Sequence, residues 1–173
     1  MSMLSDANAG AANSRWYVLH VRPRCEKKMA EYCTVHGFVH ELPLRQETKI
    51  YQRRKVTVWK PVFPGYVFVV FPPERRVTVL ASNLTVRVLA VVNQEQLVAE
   101  LAQIKQALAV DPTLDSCAAF TTGRRVVIRG GPFRGLEGVV QTLRGRTRVV
   151  LNVEMIGRAV AVEVERDLLE PAD

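Results

Sequence analysis

The spacing of hydrophobic and polar residues changes repeatedly along this chain, and each pattern predicts a different element. Trp16-Tyr17-Val18-Leu19-His20-Val21 is aromatic and β-branched, the composition of a strand. Pro23 suits the first turn of a helix, where its missing N–H is no loss. Residues 24–36 then set Met29, Tyr32, Cys33 and His36 on one helical face, with Arg24, Lys27, Lys28 and Glu31 elsewhere on the wheel. Gly37 is the expected left-handed stop. Strands are predicted over 38–44 and 50–59, the second with Lys55 and Thr57 alternating with Val56 and Val58. The most apolar stretch is 61–71, which loses strict alternation from Val67 on, the mark of a central strand covered on both faces. Its prolines and Gly65 sit at its start, where a missing ladder donor is tolerated, and Pro72-Pro73 ends it. A short helix over 74–80 and a strand over 86–92 follow. Asn93 caps the next helix with Gln96 three residues on, and Leu97, Leu101, Ile104 and Leu108 form one apolar stripe that packs on the domain's own sheet. This order fits a four-stranded antiparallel sheet with helices on one side.

The character changes near residue 110. Asp111-Pro112-Thr113-Leu114-Asp115-Ser116 is turn-rich and reads as a linker. Beyond Thr121 there is no helical period, only β-branched residues, arginine and glycine. Five strands are predicted: 125–129, 137–143, 147–153, 159–164 and a short end near Leu168-Leu169. Gly130-Gly131-Pro132, Gly135, Gly145 and Gly157 supply the turns. Short antiparallel strands with tight turns over about 50 residues suggest a small SH3-like barrel. The expected organisation is a disordered tail over 1–14, an α+β domain over 15–108, a linker over 109–120 and an all-β domain over 121–173.

Composition narrows the function. The 173 residues are 48% hydrophobic and 24% charged, ordinary for a globular protein. No stretch approaches the roughly 20 apolar residues of a membrane span, and the start is not a secretory signal, so a cytoplasmic protein without a membrane partner is expected. The net charge of +7 favours polyanionic partners such as nucleic acid. The basic arm Lys49-Ile50-Tyr51-Gln52-Arg53-Arg54-Lys55 reads equally as a solvated turn or as a phosphate-contacting loop. Three cysteines, Cys25, Cys33 and Cys117, without a CxxC pair, predict free buried thiols and neither a disulfide framework nor a zinc site. His20, His36 and His40 lack a nucleophile partner or metal-ligand spacing, and Gly130-Gly131-Pro132 is followed by no Gly-Lys-Ser/Thr. No cofactor, metal or catalysis is expected; a perturbed Cys25 or His20 in a cleft would reopen the enzyme reading.

Two stretches carry a family likeness. Trp16-Tyr17-Val18-Leu19-His20, followed after a basic helix by Val62-Phe63-Pro64-Gly65-Tyr66-Val67-Phe68, resembles the amino-terminal (NGN) domain of the NusG family. The run from Gly123 through Gly130-Gly131-Pro132-Phe133-Arg134-Gly135-Leu136-Glu137-Gly138-Val139-Val140, closing with Met155-Ile156-Gly157-Arg158, resembles its KOW domain. The likeness spans about residues 15 to 170. It implies a non-enzymatic, monomeric transcription elongation or antitermination factor. In that family the first domain docks on the clamp helices of RNA polymerase, touches upstream or displaced non-template DNA and restrains pausing. The KOW domain recruits a second factor, such as Rho or a small-subunit ribosomal protein.

By carry-over, Trp16, Tyr17, Phe63, Pro64, Gly65 and Tyr66 are the expected polymerase-binding residues, since interface anchors are enriched in rigid aromatics. Arg24, Lys27, Lys28, Ser82, Asn83 and Thr85 are the expected nucleic-acid contacts. Phe133, Ile156 and Arg158 are the expected partner surface of the KOW domain, although relatives often carry phenylalanine where Ile156 stands. Residues 149–164 are β-branched and punctuated by glycine, which opposes the helical alternative found in one specialised relative. The competing reading is a ribosome-associated or RNA-binding KOW protein without polymerase contact. That reading calls for a basic barrel, whereas the segment after Thr121 mixes its arginines with Glu137, Glu154, Glu163, Glu165, Asp167 and Glu170.

Overall fold

The computed structural model describes residues 13–172; the tail expected over 1–14 lies almost wholly outside them. The elements are β1 (Arg15–Val21), α1 (Glu26–Val35), β2 (His40–Glu41), β3 (Leu44–Tyr51), β4 (Arg54–Pro61), β5 (Tyr66–Phe71) and, after a 3-10 turn at Pro73–Arg75, α2 (Arg76–Leu80). Then come β6 (Thr85–Ala90), α3 (Gln94–Val110), β7 (Ser116–Ala118), β8 (Arg125–Ile128), β9 (Glu137–Leu143), β10 (Arg146–Val153), β11 (Arg158–Glu163) and β12 (Leu169–Pro171). They form two compact units. One takes in the residues up to Pro43 together with Phe63–Val98, the other Leu44–Val62 together with residues from 99 on.

The first unit is built on an antiparallel sheet in the order β2-β5-β1-β6. On one face Leu19, Val21, Val67, Val69 and Phe71 pack with Met29 and Cys33 of α1, with Phe38 and with Val79 of α2. Each such side chain, fully buried, contributes about 1.5–3 kcal/mol of transfer free energy. Trp16, Val18, Phe68 and Val70 of the alternate positions are buried too. The sheet is therefore covered on both faces, as the unbroken apolar run of β5 predicted, and not on one side only.

Local chemistry sets the element ends. Arg24 has φ 63, a left-handed conformation that no helix interior accepts, so α1 begins at Glu26 and not at Arg24. At the other end Gly37 has φ 73, its N–H donates to the Thr34 carbonyl, and the Phe38 N–H donates to the Cys33 carbonyl. That pair of bonds is the Schellman stop. The strand expected over 38–44 is reduced to His40–Glu41, since Pro43 has no N–H to continue the ladder. At α3 the Asn93 side chain accepts the Gln96 N–H at 3.0 Å, the cap that the sequence predicts. Gln94 goes further: its amide accepts the Trp16 N–H at 2.6 Å and donates to the Trp16 carbonyl at 3.0 Å, so the helix start clasps the backbone of β1.

The second unit joins a two-stranded ribbon, β3–β4, to a six-stranded antiparallel sheet in the order β12-β8-β9-β10-β11-β7. In the ribbon, pairing runs from Leu44↔Pro61 to Tyr51↔Arg54. Its two tip residues, Gln52 and Arg53, both have positive φ (48 and 65), the geometry of a type I′ turn made without glycine. Lys60 bonds Glu47 at 2.6 Å across the ribbon, which holds the Glu47 carboxyl below its ordinary range. The ribbon base is anchored where the Gln46 N–H donates to the Pro112 carbonyl at 2.6 Å and Arg45 pairs with Asp115 at 3.2 Å.

The six-stranded sheet has one strand more than the sequence predicts. Residues 116–118, inside the expected linker, pair with β11 from Ser116↔Val160 to Ala118↔Arg158. A three-residue strand has no readable period, and its backbone is held by its neighbour. Val149, Leu151, Val153, Val160 and Val162 are buried as their alternation implies, and Val150 and Ala159 are buried as well. Gly138 lies at a close approach of β9 to β10: a Cβ there would stand 2.4 Å from the Val150 carbonyl oxygen.

Candidate functional site

In the first unit the candidate docking surface is a tight turn at the head of β5. The Tyr66 N–H donates to the Phe63 carbonyl at 3.2 Å, Pro64 precedes Gly65, and Gly65 has φ 91. This is the type II turn, which calls for proline and then glycine in its two central places. Three bonds steady it. The Gly65 carbonyl accepts the Val21 N–H at 2.9 Å, and the Gly65 N–H reaches the carboxylate of Glu26 at 3.3 Å. Glu26 is buried at the first position of α1, where the positive end of the helix favours a carboxylate.

The expected docking residues divide. Trp16 and Phe63 are 0% and 1% exposed, and neither offers a surface. Tyr17 is half-buried and stacks on Phe71 with ring centroids 4.2 Å apart, as part of the core cluster. Pro64 is exposed, and Tyr66 is half-buried with its ring stacked on His20 at 5.5 Å. Register sets Tyr66 opposite His20 and His20 opposite Arg87, so one row across β5, β1 and β6 bears an aromatic, an imidazole and an exposed guanidinium. His20 and Arg87 were not singled out from sequence as surface residues. The pairing that aligns them depends on strand order, which no local pattern reveals.

The expected nucleic-acid residues lie around the neighbouring end of the sheet. Arg24 is exposed in the loop after β1, and Lys27 and Lys28 are exposed on the first turn of α1. The Arg22 N–H donates to the Leu84 carbonyl, which joins this loop to the one over 81–84. There Asn83 is exposed with φ 60. Ser82 is committed inward: its hydroxyl donates to the Val79 carbonyl at 2.8 Å and accepts the Leu84 N–H at 3.2 Å. Thr85 is half-buried over the Met29 sulfur at 3.8 Å. Of the three expected residues there, Asn83 alone is exposed, while exposed Arg22 joins Arg24 as a basic neighbour.

In the second unit Phe133 is half-buried in the β8–β9 loop, which turns through Gly131 (φ 79) and Gly135 (φ 93). It lines an open groove of about 250 Å³ with Ile128, Pro132, Val164 and Leu168 as the apolar wall and Glu163 and Glu165 on the rim. Ile156 and Arg158 do not line this groove. Ile156 is half-buried in the 3-10 turn Glu154–Ile156, and the Arg158 guanidinium donates to the Ser116 hydroxyl at 2.9 Å. Leu168, which completes the apolar wall, gave no signal beyond its place in a short terminal strand.

Burial pushes Cys33 up to about 12, and burial also raises Cys117, against the pull of Arg148 and Arg158. Among the described residues no three His, Cys, Asp or Glu side chains converge as a metal site, and no helix is long and apolar enough to cross a membrane.

A family model described as "Transcription termination factor nusG" matches residues 14–108, more than half of the chain. The chain is 28% identical over 174 residues to the transcription termination/antitermination protein NusG of Staphylococcus aureus strain Mu50, covering 90% of this chain and 94% of that protein. The NusG of strain N315 matches equally. In fold it is similar to the solved structure "Domain interaction in Thermotoga maritima NusG", with a TM-score of 0.51 and 21% identity over 95% of this chain and 100% of that one. With the matching model laid over the sheet, the Pro64–Gly65 turn and α3, the chain belongs to the NusG family of transcription termination/antitermination factors.

Proposed function

We propose that this protein is a transcription elongation and antitermination factor that docks on RNA polymerase through the turn at the head of β5. The observation that supports this most is the turn itself. Pro64 and the Tyr66 ring, backed by His20, project from a three-point hydrogen-bonded turn on a rigid sheet. A preorganised aromatic anchor of this kind loses little freedom on binding. Trp16, Tyr17 and Phe63 support the anchor from within and do not touch the partner. Arg24, Lys27, Lys28 and Asn83 lie beside the turn and suit phosphate and base contacts to upstream or non-template DNA. The domain over 15–108 performs this docking. The domain over 121–173 recruits a second protein, Rho or a ribosomal protein, through the Phe133 groove. The chain works as a cytoplasmic monomer that binds and does not catalyse.

The test is binding of the full-length chain to bacterial RNA polymerase core, with Tyr66→Ala beside the parent. Removing a central aromatic anchor costs about 2 kcal/mol, roughly a thirtyfold loss of affinity. Unchanged binding by the variant would put the docking surface elsewhere. No binding by the parent would favour a ribosome- or RNA-binding KOW protein.

A further inference from the structure

The β3–β4 ribbon is used by neither surface described above. Residues 48–57 are all exposed, and Ile50 and Tyr51 are 76% and 69% exposed despite their apolar bulk. Lys49, Arg53, Arg54 and Lys55 crowd the tip, and 49–55 contains no acidic residue. The base is anchored by the Gln46–Pro112 bond and the Arg45–Asp115 pair, so the exposed end is a projection with a fixed root. The type I′ tip keeps it narrow.

The distribution of charge says what this projection fits. Successive strand residues point to opposite faces, so Arg54 and Lys55 look away from each other, and Arg53 caps the end. A ribbon lying flat on a partner would gather its charge on one face. Cations on both faces match a cleft with phosphates on both walls. The major groove of B-form DNA is such a cleft, about 12 Å wide and 8.5 Å deep, and it admits a two-stranded ribbon. Four to five residues beyond the anchored base reach about 15 Å at the usual strand rise, enough to cross that depth. The narrow major groove of A-form RNA excludes the ribbon, and a single strand calls for a platform of several aromatics where this tip has Tyr51 alone. We infer that the β3–β4 ribbon is a duplex-DNA-binding arm, inserted tip first in the major groove with Arg54 and Lys55 toward the phosphates of opposite walls and Arg53 at the leading end, toward the base edges. This arm acts on free duplex and does not depend on polymerase docking.

The experiment is fluorescence anisotropy of the full-length protein with a labelled duplex of about two helical turns, over a salt series. Duplex RNA and single-stranded DNA of the same sequence are the comparison probes. The variant is Arg53→Gly, Arg54→Gln, Lys55→Gln, three exposed tip positions of which the first already has a glycine-like backbone. It should bind duplex DNA at least tenfold more weakly, with a salt slope shallower by about 1.8, or about 0.9 for each of the two lost phosphate contacts. Duplex DNA should be preferred over both other probes. An affinity within twofold of the parent, or equal or tighter binding of either other probe, overturns the arm. A second measurement needs no variant: lysine acetylation of the parent with and without duplex, read by mass spectrometry. Protection of Lys49 and Lys55 supports the arm. Protection of Lys27 and Lys28 alone assigns the DNA to α1 and overturns it. Polymerase binding by the variant, measured in parallel, should match the parent, which separates the arm from the docking turn.

Discussion

Gly138→Ala tests the packing of the second unit at one of its closest approaches. A Cβ at this position would lie 2.4 Å from the Val150 carbonyl oxygen and 2.7 Å from a Val149 methyl, where ordinary contact begins near 3.4 Å. Roughly 1 Å of separation is needed, and the obstacle is backbone. Val150 pairs with Val139 on one side and with Ala161 on the other, so it cannot retreat without opening a ladder. Overpacking costs about 1–3 kcal/mol, and a sacrificed strand hydrogen bond adds about 1 kcal/mol. The expected loss is about 3 kcal/mol, a large share of the 5–15 kcal/mol typical of a whole domain. Urea unfolding followed by circular dichroism should show the later-sheet transition displaced by about 1–2 M. The companion Gly145→Asn separates packing from backbone conformation. Gly145 has φ 77 but nothing within 4 Å of its would-be Cβ, and asparagine tolerates that conformation, so stability should change by less than about 0.5 kcal/mol. A harmless Gly138→Ala, or an equal loss from Gly145→Asn, would refute the close-approach argument.

Three further outcomes are expected. Gln94→Ala removes both bonds to the Trp16 backbone and should cost about 1–3 kcal/mol in thermal or urea unfolding, with Gln94→Glu restoring only the accepting half. Gly65→Ala forces a side chain into φ 91 and should weaken polymerase binding together with stability, by about 1–2 kcal/mol in each; intact binding would free the turn from its proposed role. Cys33 is held protonated in the fold up to about 12 against an ordinary value of 9.0, so its contribution is complete below 9 and is lost as pH climbs from 9 toward 12. Alkaline unfolding should therefore be blunted in Cys33→Ala relative to its own neutral stability, and a thiol reagent should reach Cys33 only after unfolding.

Much of the architecture was legible because long periodic segments declare themselves. The α3 stripe, the Asn93 cap, the Gly37 stop and the central place of β5 each follow from a local pattern with a physical cause. What escaped was short or depended on pairing. β2 shrank to two residues at Pro43, and Ser116–Ala118 became a strand only because β11 lies beside it. The site shows the same division. Pro64 and Gly65 read only as the start of a strand, not as the turn they form, and the burial of Trp16 and Phe63 depends on how layers stack. The commitment of Ser82 to its own loop and the alignment of His20 with Arg87 depend on register. Composition named the basic arm without distinguishing a hairpin tip from an extended loop; the pairing from Leu44↔Pro61 to Tyr51↔Arg54 makes it a hairpin tip.

The bond from Glu26 to Gly65 fastens the exposed turn to the root of α1. Lys27 and Lys28 ride on the next two positions of that helix, with no hinge between them and the carboxylate. Whatever grips the turn therefore also aims the lysines, as the fixed jaw of a calliper sets the other's distance. Cutting this strut with Glu26→Ala would leave both surfaces chemically whole and still seated on the sheet, with one fewer bond fixing the spacing between them.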